Sequence, residues 1–170
     1  MALTKLKKSQ YMIFLDIAKD LTLKACDWKR ICKSTVFEIS MNPQSETYDW
    51  IDQDIPEEVV ENNQPEMGQE VAMYEGDPLF DFIQDLFISC PTGEAVKVPY
   101  LNCFGGSAKK AWRGIATILF DTLNSVDGKI TFTIKINTVE KGVYNVVDGA
   151  PTFTEEGADN GDDNGEVAQG

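Results

Sequence analysis

The residues able to carry chemistry in this chain are 28 acids and four cysteines, with no histidine among the 170 residues. The missing imidazole excludes Ser-His-Asp and Cys-His nucleophiles, His-ligated zinc and imidazole proton transfer. Cys26 and Cys32 have five residues between them, Cys90 and Cys103 are scattered, and no C-x-x-C pair exists. That pattern suits buried free thiols in a reducing compartment better than a zinc site. Gly105-Gly106-Ser107-Ala108-Lys109-Lys110 resembles a phosphate loop only in composition. The G-x-x-x-x-G-K spacing is absent, so a tight turn before a strand accounts for the glycines. The carboxylates at Asp49, Asp52, Asp54, Glu57 and Glu58 fail the calcium-loop spacing, with no glycine sixth and no glutamate twelfth. No aromatic-lined groove is legible for a glycoside-cleaving carboxylate pair. No metal, no cofactor and no catalytic activity are expected.

Charge is distributed unevenly. Residues 1–33 hold eight Lys/Arg and three acids, whereas residues 34–96 hold fifteen acids and no base. Residues 97–154 are mildly basic, and the end from Glu155 onward carries six acids, for a net −13. A basic head and an acidic middle can meet within one chain or head-to-tail between copies. No run of bases is arranged to neutralise successive phosphates, which disfavours specific nucleic-acid binding. No apolar run reaches the roughly 18 to 20 residues of a membrane span. The short apolar stretch at Met12–Leu15 is broken by Asp16, so no signal core is expected and the chain reads as made in a cytosol-like compartment.

Those residues must be positioned by a mainly β architecture. Phe37, Ile39 and Met41 alternate with Val36, Glu38 and Ser40, and residues 46–51 alternate again, which predicts a hairpin over 35–51 turning at Asn42-Pro43-Gln44. Residues 52–68, with Pro56, Pro65, Gly68 and six acids, read as a long functional loop. Asp77 and Pro78 open a helix over 78–88 with an apolar stripe of Leu79, Phe82, Ile83 and Leu86. Residues 95–104 predict a strand placed at an edge or bend by Pro99. Residues 111–123 and 129–137 predict strands joined through Asp127-Gly128, the second with Ile130, Phe132, Ile134 and Ile136 inward. Residues 140–142 read as a turn before closing strands over 143–147 and 151–153. Tyr48, Trp50, Trp112 and Phe132 are assigned to the core. The whole predicts one domain over 1–154, two sheet layers with the helix on a flank, and a flexible acidic tail over 155–170.

Four stretches in this order resemble the major tail tube proteins of long-tailed bacteriophages. They are Ser40–Ile51, the loop ending at Gln69 with Glu70-Val71-Ala72-Met73-Tyr74, Gly76-Asp77-Pro78-Leu79-Phe80-Asp81-Phe82-Ile83, and the strand set Ala111–Leu123, Lys129–Asn137 and Gly142–Phe153. The match covers roughly residues 10–154, while the segment before Ser34 and the acidic tail depart from it. The resemblance implies a β-sandwich with a flanking helix. It implies six copies in a ring sharing one β-barrel, and stacked rings forming an acidic-lumen conduit for DNA in the virion, assembled in the host cytoplasm. Its implied partners are identical copies, a tape measure protein, a tail terminator and baseplate proteins, with DNA passing unbound. The loop acids Asp52, Asp54, Glu57, Glu58, Glu61 and Glu66 are then candidates for contact with the adjacent ring. Glu38, Glu46 and Asp49 are candidates for the lumen, although Glu46 and Asp49 fall on opposite faces of an ideal strand. The alternatives are another tail ring, such as a terminator or baseplate tube-like protein, a cytosolic β-sandwich binding module, or a carboxylate hydrolase.

Overall fold

The computed structural model describes residues 2–36 and 38–157, so the expectations placed on Phe37 and on the tail beyond 157 lie outside the described residues. The chain runs β1 (Met12–Asp16), β2 (Trp28–Arg30), β3 (Glu38–Ser40), β4 (Pro43–Tyr48), β5 (Glu57–Asn63) and β6 (Glu66–Ala72). It continues through α1 (Pro78–Ile88), β7 (Lys97–Cys103), β8 (Lys110–Asn124), β9 (Lys129–Ile136), β10 (Glu140–Val147) and β11 (Ala150–Glu155). Nine strands form one sheet in the order β2-β1-β7-β8-β9-β6-β3, with β10 attached to β8 and β11 to β10; β4 and β5 pair only with each other.

Period-two burial builds this sheet. In β9, Ile130, Phe132, Ile134 and Ile136 are buried while Lys135 is exposed, as the alternation requires. The inward residues join Ile13, Leu15, Met67, Val71, Val98, Tyr100 and Ile118 in the main core. α1 closes that core with Leu79, Phe80, Ile83 and Leu86, leaving Asp81 and Asp85 exposed. Its start is fixed by Asp77, whose carboxylate accepts the Leu79 N–H at 3.1 Å, and by Pro78 in the first helical turn.

The expected two layers come from one sheet curled on itself. The Asn102 amide on β7 donates to the Met67 sulfur on β6 at 3.3 Å, although β8 and β9 lie between those strands in the sheet. A second, smaller core lies on the reverse face. There Phe14, Leu101, Cys103, Ala111 and Tyr144 are packed by Trp28, Val146 and Phe153, so β10 and β11 cover what β1 and β7 would otherwise expose.

One edge of β8 serves two partners. Its first residues pair with β10 (Arg113↔Glu140 to Lys110↔Val143), and its remainder pairs with β9 (Ala116↔Ile136 to Asn124↔Lys129). Gly114 marks the changeover, where the chain kinks between β9 and β10. Ile115 donates its N–H to the Thr138 hydroxyl at 2.8 Å, and its carbonyl accepts from the N–H groups of Asn137 and Thr138. A Cβ on Gly114 would lie 2.1 Å from the Thr138 carbonyl oxygen, so only glycine admits this crossing.

Several expectations are corrected. Residues 35–51 are not a hairpin, because β3 pairs with β6 and β4 pairs with β5. Asn42, at φ 44°, redirects the chain between two ladders instead of reversing it. Residues 52–68 are not one loop, since β5 and the start of β6 fall inside them. Pro99 sits in a strand flanked on both sides, but the β1 ladder stops at Leu15↔Tyr100, so Pro99 pairs only with Ile115 on β8. Residues 140–142 begin β10 and do not turn. Only Cys103 of the thiols is buried; Cys26 is half-buried, and Cys32 and Cys90 are exposed. Burial pushes the Cys103 thiol up to about 12, and burial together with neighbouring Asp16 does the same for Cys26, which leaves both inert at neutral pH.

Gly114→Ala is expected to cost at least about 2 kcal/mol in urea denaturation, because backbone must shift to admit the methyl. Gly68, with open space at its Cβ position, serves as the control, and Gly68→Ala should be neutral or slightly stabilising.

Candidate assembly surface

The acids singled out in the sequence fall into two places. Residues 43–63 form an arm, the β4–β5 pair, carrying seven acids and no base. Glu46, Asp49, Asp52, Asp54, Glu57, Glu58 and Glu61 lie on it; Glu38 and Glu66 lie on the main sheet. The structure therefore separates Glu46 and Asp49 from Glu38, with which they were grouped, and separates Glu66 from the other loop acids.

The arm extends the β3–β6 pair. Gln64 donates its N–H to the Met41 carbonyl at 2.9 Å, and the Asn42 amide donates to the Gln64 carbonyl at 3.2 Å, pinning the base. Beyond that base neither hydrophobic core includes any residue of the arm. Its side chains bond among themselves: the Ser45 hydroxyl donates to Glu58 at 2.7 Å, and the Tyr48 hydroxyl is within reach of Glu61 at 2.7 Å and Glu46 at 3.1 Å. Trp50 stacks on Tyr48 with ring centroids 5.2 Å apart. Both rings thus leave the core to which they were assigned; Phe132 is buried as expected, and Trp112 is partly buried against the main core. Trp50, Ile51 and Ile55 are exposed at the tip, and Val60 is exposed along β5. A two-stranded ribbon is marginal in water when nothing packs on it. This one presents an apolar tip on acidic flanks, the composition of a surface awaiting a partner.

The second place is the polar face of the main sheet, opposite the core. Cross-strand neighbours set out its rows. Ser40, Glu66, Lys135, Thr117 and Lys97 form one, and Glu38, Gly68, Thr133 and Leu119 another. Glu66 meets Lys135 at 3.9 Å and Glu70 meets Lys129 at 3.5 Å, so the carboxylates are largely offset by lysines. This face is polar and nearly charge-balanced; the unbalanced acid is on the arm.

A third feature was not legible in the sequence. A groove of about 960 Å³ lies between the N-terminal segment and the sheet, lined by Lys5, Leu6, Lys7, Lys8 and Tyr11 of the segment and by Glu38, Ile39 and Phe104. Gly105 and Gly106, both at positive φ, let the chain pass close to Gln10 and Leu6; a Cβ on Gly105 would lie 2.9 Å from that of Gln10. The glycines read as a tight turn therefore also seat the basic head. The only sequence signal for this was the head's charge. Among the described residues, no cluster of three or more His, Cys, Asp or Glu is placed to hold a metal, and no helix is long and apolar enough to cross a membrane.

No protein-family model matches the chain, and no curated protein matches it in sequence. The described fold is nevertheless shared with a solved tail assembly. A chain from the tail of an empty GTA particle, solved with C6 symmetry, superposes with a TM-score of 0.54 at 14% identity, over 88% of this chain and 99% of that one. A chain of the baseplate of the anti-feeding prophage, six-fold symmetrised, gives 0.49 at 7% identity, over 83% and 97%. The GTA likeness defines the class of fold: mainly β, with one large antiparallel sheet and one helix.

The Tyr48 hydroxyl has one proton to give, to Glu61 at 2.7 Å or to Glu46 at 3.1 Å, and this holds its pKa above the ordinary value of 10 because the neutral phenol is the bonded form. An ultraviolet titration of the native chain minus Tyr48→Phe should place the midpoint above 10, and Glu61→Gln should bring it back down. An unshifted midpoint would show that the arm's hydrogen bonds do not persist in solution.

Proposed function

We propose that this chain is a non-catalytic structural subunit of a phage-type tail tube, in which six copies close a ring and rings stack into a conduit for DNA. The observation that carries the reading is the arm over residues 43–63, whose apolar tip and acidic flanks have no core to pack against in their own chain. The fold shared with a C6-symmetric tail supports it. A ring offers the arm a second copy, and ring closure also pairs sheet edges that a lone chain leaves open.

In this reading β3, β6, β9 and β8 line the channel with their polar face, so Glu38, Glu66 and Glu70 are lumen residues and Glu46 and Asp49 are not. The face carries no basic patch, and its lysines at 129 and 135 are paired with acids. Phosphates passing it find no array of free cations to bind. Asp52, Asp54, Glu57, Glu58 and Glu61 serve the ring-to-ring contact, while Glu66 does not. A tape measure protein inside the tube, a terminator and baseplate proteins at its ends, and residence in the virion tail follow from the same role.

Because Met41 and Gln64 are already bonded across the base, residues 42–63 can be replaced by an Asn-Gly turn. The shortened protein should melt within a few degrees of the parent and remain monomeric. The parent, raised in concentration under negative stain, should give hollow rods of uniform width. Rods of ordinary length from the shortened protein would overturn the arm's role. Single rings from the parent would indicate a terminator-like subunit, and a parent that stays monomeric would indicate a binding module.

A further inference from the structure

We propose that the groove beside the N-terminal segment receives the arm tip of a second copy, with Lys5, Lys7 and Lys8 facing the arm's carboxylates and the groove's apolar side chains facing Trp50 and Ile51. The proposal deepens the assembly reading above and rests on it. Its grounds are charge and shape. The arm carries seven acids and no base over residues 43–63, and the groove is lined by three lysines together with Leu6, Tyr11, Ile39 and Phe104. The groove's one acid, Glu38, belongs to β3 at its border. An apolar tip between acidic flanks is complementary to a groove lined by apolar side chains and three lysines.

The occupant is another copy and not the chain's own arm. Ile39 lines the groove and lies four residues before β4, so the groove sits next to the arm's base. Six residues of β4 carry the tip about 20 Å further on. A ladder bonded along its length cannot fold back to its own root. A contact between the base of one copy and the tip of the next is heterologous, and repeated along an axis it does not close on itself. Stacking without a set limit then follows from this one contact.

The experiment compares the full chain with Lys7→Glu/Lys8→Glu, with Asp52→Lys/Asp54→Lys, and with all four changes together, each checked for parental circular dichroism. The concentration at which polymer first sediments at 0.15 M salt is the readout. Either pair alone should raise it at least about tenfold, and the combination should return it to within about threefold of the parent, since the swapped charges again attract. Carbodiimide cross-linking of a mixture of isotope-labelled and unlabelled parent should join Lys5, Lys7 or Lys8 to residues 49–58 across mixed-isotope pairs. Failure of the combination to rescue, or cross-links from these lysines to the acids at 155–166 instead, would overturn the docking while leaving assembly intact. A parent that never polymerises would overturn both.

Discussion

The constraint behind everything else is the one on a lone β-ribbon: two strands satisfy each other's inner hydrogen bonds and nothing more. The chain builds such a ribbon between Pro43 and Asn63 and gives it no apolar support. It places a tryptophan and two isoleucines where the ribbon meets solvent. In the rest of the molecule the opposite holds, with period-two burial filling both sides of β1 and β7 and a helix sealing the main core. Every other described strand, and α1, has a residue in one of the two cores or packed against it; in the assembly proposed above, the arm is the element kept for a neighbour.

How much of this could be read from the residues depended on whether one face of each element was buried. The bounds of α1 were legible to the residue because a cap, a first-turn proline and a 3.6-period stripe all agree, although Phe80 is buried more deeply than the expected Phe82. β9 was legible because its two faces meet different surroundings. β5, Glu-Glu-Val-Val-Glu-Asn-Asn, was not: both of its faces are wet, so no alternation exists to find. The Asn42-Pro43 turn was misplaced for a related reason. Local turn chemistry marks a change of direction, but only the pairing partners, nine to thirty residues away, decide whether the chain reverses or bends.

The candidate site divides in the same way. The acids were visible as a group, because charge is a property of the letters. Their separation into an arm and a balanced sheet face was not, because it depends on register: Glu66 stands opposite Lys135, and Glu70 reaches Lys129 diagonally across the same ladder. The groove was hidden more deeply still, since it needs the head, β3 and the Gly105-Gly106 turn to be brought together. Compositional reading finds what a chain has; long-range pairing decides where it is shown.

The two halves of the proposed contact differ in the length of chain each requires. The arm is complete within 21 consecutive residues and can pair as soon as they leave the ribosome. The groove waits for Phe104, because its head is anchored by β1 against β7 across nearly ninety residues. A nascent chain therefore carries its plug long before it has a socket, and unfinished neighbours on one message cannot yet accept one another. Maturation order alone would hold polymer growth back until whole subunits are free in solution.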